Sequence, residues 1–118
     1  AYTPKKTAQA EYDFKMQALQ YKPEKPIETQ IYMKLRFYMP IPKSMSKKNR
    51  ELALKWIMKP TTRPDLDNLI KLVEDAMNGI FYKDDSQIIS INAEKRYSET
   101  PRIEVKLLYS TDISLFKP

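Results

Sequence analysis

Asp65 and Asp67, then Lys71, then the adjacent Asp84 and Asp85 are the residues whose types and spacing could do chemistry together. Oxygen donors of this kind suit Mg²⁺, which takes a tight octahedron and keeps several of its waters. On a regular helix, positions i and i+2 diverge by about 200°. Asp65 and Asp67 can therefore share an ion only if Asp65 stands ahead of the helix, an entry that Pro64 favours. Lys71 lies four residues after Asp67, one turn along the same edge. An ammonium there can offset the charge that builds on a phosphate in its transition state, while a bound ion activates water. Asn68 can orient a ligand or cap the helix. Each residue also has a plainer role open to it. Asp65 or Asp67 can serve as a simple N-cap, Asp84 and Asp85 as turn residues, and Lys71 as the i+4 partner of Asp67 or Asp75.

Composition narrows the chemistry further. The 118 residues include no His and no Cys. This removes Ser–His and Cys–His nucleophiles, thiolate or imidazole zinc sites and disulfides. With Gly79 as the single glycine, no glycine-rich loop can cradle a nucleotide phosphate. The net charge of +6 is unevenly placed. Residues 1–62 hold 13 Lys/Arg against 5 Asp/Glu, whereas residues 63–118 hold 8 against 10. A basic half joined to an acidic half suggests a polyanion-binding surface beside a carboxylate cluster, although a merely solvated basic surface has the same composition. No apolar run is long enough to span a membrane and no signal peptide is evident, so a cytoplasmic location is expected.

The elements that must position these residues follow from periodicity. A first helix, capped by Thr3-Pro4 or Thr7, is expected to run to about Tyr21, with Ala10, Phe14, Ala18 and Tyr21 as its buried stripe. From Ile27 to Met39 strict alternation predicts a strand. Ile31, Met33, Leu35 and Phe37 lie on its buried face, and Tyr32, Lys34, Arg36 and Tyr38 on a wet one. A basic stretch follows, with Lys43, Lys47, Lys48, Arg50, Lys55 and Lys59. Ser46 can cap a short helix there, reaching about Ile57, with Leu52, Trp56 and Ile57 turned inward. A further helix is expected from Asp65 or Asp67 to Asn78, stopped by Gly79. Alternation in Ile89, Ile91 and Ala93, and in Ile103, Val105, Leu107 and Tyr109, marks two last strands. The predicted fold is α+β, one domain over 1–109 with a 110–118 tail, its helices packed on a small mixed, mostly antiparallel sheet. Lys95 continues the apolar face of its strand and is expected to reach toward the acidic residues.

The string of residues carries more than the spacing. Arg63-Pro64-Asp65-Leu66-Asp67-Asn68-Leu69-Ile70-Lys71, then Asp75-Ala76-Met77-Asn78-Gly79, then Asp84-Asp85-Ser86-Gln87 closely resembles the RusA family of crossover junction endodeoxyribonucleases. Tyr2-Thr3-Pro4-Lys5-Lys6-Thr7 and Lys95-Arg96-Tyr97 also look like family patterns. The resemblance implies a homodimer that binds four-way DNA junctions in a bacterial or prophage setting and makes paired nicks with Mg²⁺ or Mn²⁺. In it, Asp65, Asp67 and Asp85 match the metal-site aspartates, Lys71 the essential lysine and Asp84 the neighbouring acid. Lys34, Arg36, Lys43, Lys47, Lys48, Arg50, Lys95 and Arg96 are the expected DNA contacts. Family members usually begin with a strand ahead of the Thr-Pro-Lys-Lys-Thr segment. This chain starts at Ala1-Tyr2, so that strand is expected to be lacking and a sheet edge open.

Two other readings remain. The basic half could act alone as a non-catalytic DNA- or RNA-binding module, or the chain could be a structural accessory of a replication complex. The latter draws on Asp112-Ile113-Ser114-Leu115-Phe116, which resembles the short peptide by which bacterial proteins dock on the sliding clamp. Leu115 and Phe116 would be its anchors, unless the tail folds back to bury them.

Overall fold

The structure is a computed structural model that describes residues 5–111, with the side chains of 5–8 outside the description. The expected element order holds: α1 (Lys5–Ala18), β1 (Ile31–Pro40), α2 (Lys47–Leu54), α3 (Leu66–Met77), β2 (Ile88–Ser98) and β3 (Arg102–Tyr109). Short 3-10 turns at Leu19–Tyr21 and Asp85–Gln87 extend α1 and lead into β2. The sheet order is β2-β1-β3. β1 pairs with β2 in parallel and with β3 antiparallel. The sheet is thus evenly mixed rather than mostly antiparallel. The reason is topological: α2 and α3 form a crossover that brings the chain back in the direction of β1. The short Glu99–Pro101 connection then passes the end of β1 and turns the chain around. Ser98 and Arg102 brace that turn, with the Arg102 guanidinium donating to the Ser98 hydroxyl and the Thr100 carbonyl.

Period-two alternation in β1 builds the core. Ile31, Met33, Leu35 and Phe37 are buried, and α3 covers them with Leu69, Val73 and Met77. Gly79, at φ +79, ends α3 in the left-handed region as expected. α1 rests on α3 through Phe14 and Ala18. Tyr21, in contrast, is 80% exposed and Ala10 is also exposed, so the predicted stripe of α1 is only half used. A cavity of about 550 Å³ is left between α1, the end of α3 and the inner face of β3.

Three further expectations change. Ile89 falls at an irregularity where Ile31 pairs with Ile88 and Tyr32 with Ser90, which turns it to solvent. Tyr38 belongs to the supposedly wet face yet is buried. Arg102 lies over its ring at 3.9 Å, and Trp56 packs 6.0 Å away. The third change explains the second. Ser46 caps α2 as predicted, accepting from the Asn49 N–H, but the helix ends at Leu54, not Ile57. Trp56 N–H donates to the Ala53 carbonyl and Ile57 N–H to the Leu52 carbonyl, the paired bonds of a Schellman cap. Trp56 therefore occupies the left-handed position, φ 61, that glycine usually takes, at a cost of roughly 1–2 kcal/mol. Its indole offsets this by donating to the Tyr97 carbonyl at 3.2 Å and stacking under Arg96 at 4.2 Å. Ile57, 68% exposed, and much of Trp56, 42% exposed, are left outside rather than inward.

The fully buried Leu35 and the exposed Leu108 offer a direct test of this architecture. Leu35→Ala is expected to lower unfolding free energy by about 2–5 kcal/mol in urea titrations, and Leu108→Ala by no more than about 0.5 kcal/mol.

Candidate functional site

Asp65 immediately precedes α3 in an extended conformation (φ −67, ψ 147), and its side chain makes no capping hydrogen bond. The N-cap position is thus filled, but the carboxylate is not consumed by it. The loop leading to Asp65 is held from the sheet. Lys95, on the inner face of β2, donates its Nζ to the carbonyls of Thr62 at 2.6 Å and Pro64 at 2.8 Å. The expected reach of Lys95 toward the acidic segment is therefore met, with the amine engaged on backbone oxygens rather than in open solvent. Lys59, Thr62, Asp65, Glu94 and Lys95 line an open cleft of about 420 Å³.

Asp67 lies in the first turn of α3, and helical spacing places Lys71, Glu74 and Asp75 along the same edge. Asp67, Asn68 and Lys71 are exposed, and among the described residues Lys71 forms no ion pair. Its plain role as an i+4 partner is not used. Asp84 has a structural task. Its carboxylate accepts from the Ser86 N–H, which lowers its pKa, and Gln87 returns a bond to the Asp84 N–H. This reciprocal cap presents Asp85 toward the C-terminal half of α3.

Asp85 is electrostatically uncomfortable there. Its carboxyl is pushed above its ordinary pKa, chiefly by burial and then by Asp75 and Asp84, with relief from the Tyr82 hydroxyl. Its Oδ1 is buried without a hydrogen-bond partner. Glu74 is raised as well, by burial and then by Asp85 and Asp75, with Lys71 opposing. Tyr82 is fully buried; its hydroxyl donates to the Glu74 carbonyl at 3.2 Å, and burial and the nearby acids push it up. Glu74 and Tyr82 were not singled out from sequence. The signal available was that Glu74 follows Asp67 and Lys71 at seven and three residues, on one helix edge.

Among the described residues, no group of three or more acidic side chains is gathered closely enough to hold an ion in this arrangement. The orphaned, partly buried Asp85 Oδ1 and the crowding of like charge around it do fit a cation.

The expected DNA contacts fall into two sets. Lys34, Lys43, Lys47 and Lys48 are exposed and have no acidic partner among the described residues. The others are already engaged. Arg50 pairs with Glu99 at 3.0 Å, and Arg96 pairs with Glu94 while covering Trp56. Arg36 donates to the Leu35 and Asn92 carbonyls. Leu115 and Phe116 lie outside the described residues. No helix among the described residues is long and apolar enough to cross a membrane.

The family model for endodeoxyribonuclease RusA matches residues 1–108. The uncharacterized protein YqaN of Bacillus subtilis (strain 168) is 47% identical over 92 residues, covering 76% of this chain and 65% of its own length. A crossover junction endodeoxyribonuclease rusA from Lactococcus phage r1t is 36% identical over 100 residues, covering 81% of this chain and 69% of that protein. The chain thus spans 65% and 69% of the lengths of these two relatives.

A raised Asp85 pKa means that the folded protein holds this proton more tightly than the unfolded chain does. The contribution of Asp85 to stability in chelator should then be fully present below the ordinary carboxylate range and be lost as pH rises through the Asp85 titration, opposite in sign to the contributions of Asp84 and Glu94, whose pKa values are lowered. Asp85→Asn should remove that loss and raise the melting temperature at neutral pH by about 1–3 °C, measured by thermal denaturation without divalent ions. A lower melting temperature would contradict the repulsion inferred here.

Proposed function

The chain belongs to the RusA family of endodeoxyribonucleases, and we propose on that basis that it resolves four-way (Holliday) DNA junctions in recombination and repair, hydrolysing phosphodiesters to leave paired nicks. The observation that supports this reading most is the Asp85 carboxylate, with one oxygen buried and unpartnered amid other acids. Acids crowded around a partly buried carboxylate, with the Tyr82 hydroxyl in partial relief, favour a cation beside it.

In this reading Asp65, Asp67 and Asp85 hold Mg²⁺ or Mn²⁺. When bound, the ion supplies a Lewis acid for the scissile phosphate and an activated water. Lys71, exposed on the same helix edge as Asp67, neutralises charge on the phosphate. Asn68 and Asp84 support this group, and the unpaired lysines of α2 carry the adjoining backbone phosphates. Lys34, Lys43, Arg36, Arg50, Lys95 and Arg96 border that path, four of them through contacts they already make within the protein. A homodimer suits the task, because two-fold symmetry presents two equivalent sites to two equivalent strands. The setting we propose is cytoplasmic, in a bacterium or prophage.

The test is cleavage of an end-labelled four-way junction and a matched duplex, with Mg²⁺ or with chelator. Paired nicks should appear in the junction alone, vanish in chelator, and fall at least about 100-fold in Asp67→Asn and Asp85→Asn. Normal cutting by either variant would remove that aspartate from the site. Metal-independent binding without cutting under any condition would instead support a non-catalytic binding module.

The tail is a separate proposal: Leu115 and Phe116 dock on the bacterial sliding clamp. Clamp pull-down should drop at least about tenfold in a Leu115→Ala/Phe116→Ala chain. Equal recovery would sink the idea.

A further inference from the structure

The end of α2 does something that a helix terminus normally avoids. A Schellman cap usually folds the residue after its left-handed position back onto the last helical turn, as an apolar contact. Here that residue is Ile57, whose N–H is tied to the Leu52 carbonyl at 3.0 Å, yet its side chain remains 68% exposed. The left-handed position itself carries Trp56 instead of glycine, and the indole is fixed to the sheet by its bond to the Tyr97 carbonyl and by Arg96 above its ring. A bulky residue held in that conformation by its surroundings is the kind of strain that marks functional sites. The outcome is an aliphatic side chain projected outward from a rigid base.

Charge around it points to a polyanion. Lys55 and Lys59 flank the turn, and Lys47 and Lys48 open the same short helix. Lys47, Lys48 and Lys55 have no acidic partner among the described residues, whereas Lys59 pairs with Glu94 at 3.2 Å. A few residues beyond the turn, Lys59 enters the wall of the cleft that contains Asp65. An exposed aliphatic group with lysines on both sides of it in the chain fits DNA that offers an apolar surface between phosphates. In B-form duplex the base faces are covered by stacking, and they open where stacking is broken.

We propose that Ile57 is a branch-point wedge, inserting against the unstacked base pair at the centre of a DNA junction while the flanking lysines hold the phosphates. This rests on the junction-nuclease reading above and adds to it a residue that tells branched DNA from unbranched. Ile57 is not part of the metal-site machinery, so its contribution is to recognition of shape.

The test uses the full chain in chelator, where binding occurs without cutting, and junctions carrying 2-aminopurine beside the branch point. Wild type should raise the 2-aminopurine emission of the junction and not that of a matched duplex. Ile57→Ala should lose this rise and about tenfold of junction affinity, the order of one stacking contact, with duplex affinity unchanged. Ile57→Leu should retain both. If wild type prefers the junction and Ile57→Ala keeps the emission rise and the preference, the wedge is overturned and the nuclease reading stands. If wild type binds junction and duplex alike, both fall together.

Discussion

The central position of β1 is the constraint on which the rest depends. It is hydrogen-bonded along both edges, to β2 in parallel and to β3 antiparallel, so every side chain from Ile31 to Tyr38 has its face fixed by two neighbours. One face must be closed by α3, whose apolar edge brings Leu69, Val73 and Met77 down onto it. Once α3 is seated on that face, its polar edge faces away from the sheet, carrying Asp67, Lys71, Glu74 and Asp75. The Asp85 turn then enters β2 beside it. The placement of acids is thus a by-product of how the sheet is covered.

That placement opposes stability. Burial and like charge raise both Asp85 and Glu74, and no described cation pairs with either of them. Elsewhere the same chain arranges charge economically. Glu94 serves both Lys59 and Arg96, and Arg102 serves both Glu104 and the Tyr38 ring. Two buried polar side-chain atoms among the described residues have no hydrogen-bond partner, Arg36 Nε and Asp85 Oδ1, and of these only the Asp85 carboxyl is also crowded by like charge, the kind of perturbed group that clusters at functional sites.

Much of this was legible in the sequence, for local reasons. Alternation in β1, the Ser46 cap, the Gly79 stop and the position of Asp65 ahead of its helix all depend on nearest neighbours and survive in the folded chain. What was not legible depends on distant partners. Tyr38 is buried because a residue from the far end of α2 and another from β3 lie over it. Trp56 departs from helical phase because its indole finds the Tyr97 carbonyl, not because of anything in its own segment. Ile89 turns outward through an irregular pairing that alternation cannot register. Around the site, the types and order of residues were plain, but the reach of Asp85 to Glu74 and Tyr82 needed the fold.

The strand order also dictates when this protein can fold. β1 finds its first sheet neighbour only when Ile88–Ser98 arrives and its second only with Arg102–Tyr109. Pairings of such long sequence separation are slow to form, since loop closure must precede any reward from the contacts. During synthesis the basic half therefore emerges as an unpaired polycation, and the carboxylates of α3 follow before β1 has any sheet neighbour. Assembly of the acidic group waits until the Asp85 turn and β2 have joined β1, so the lysines of the basic half are all exposed to solvent well before the carboxylates are gathered.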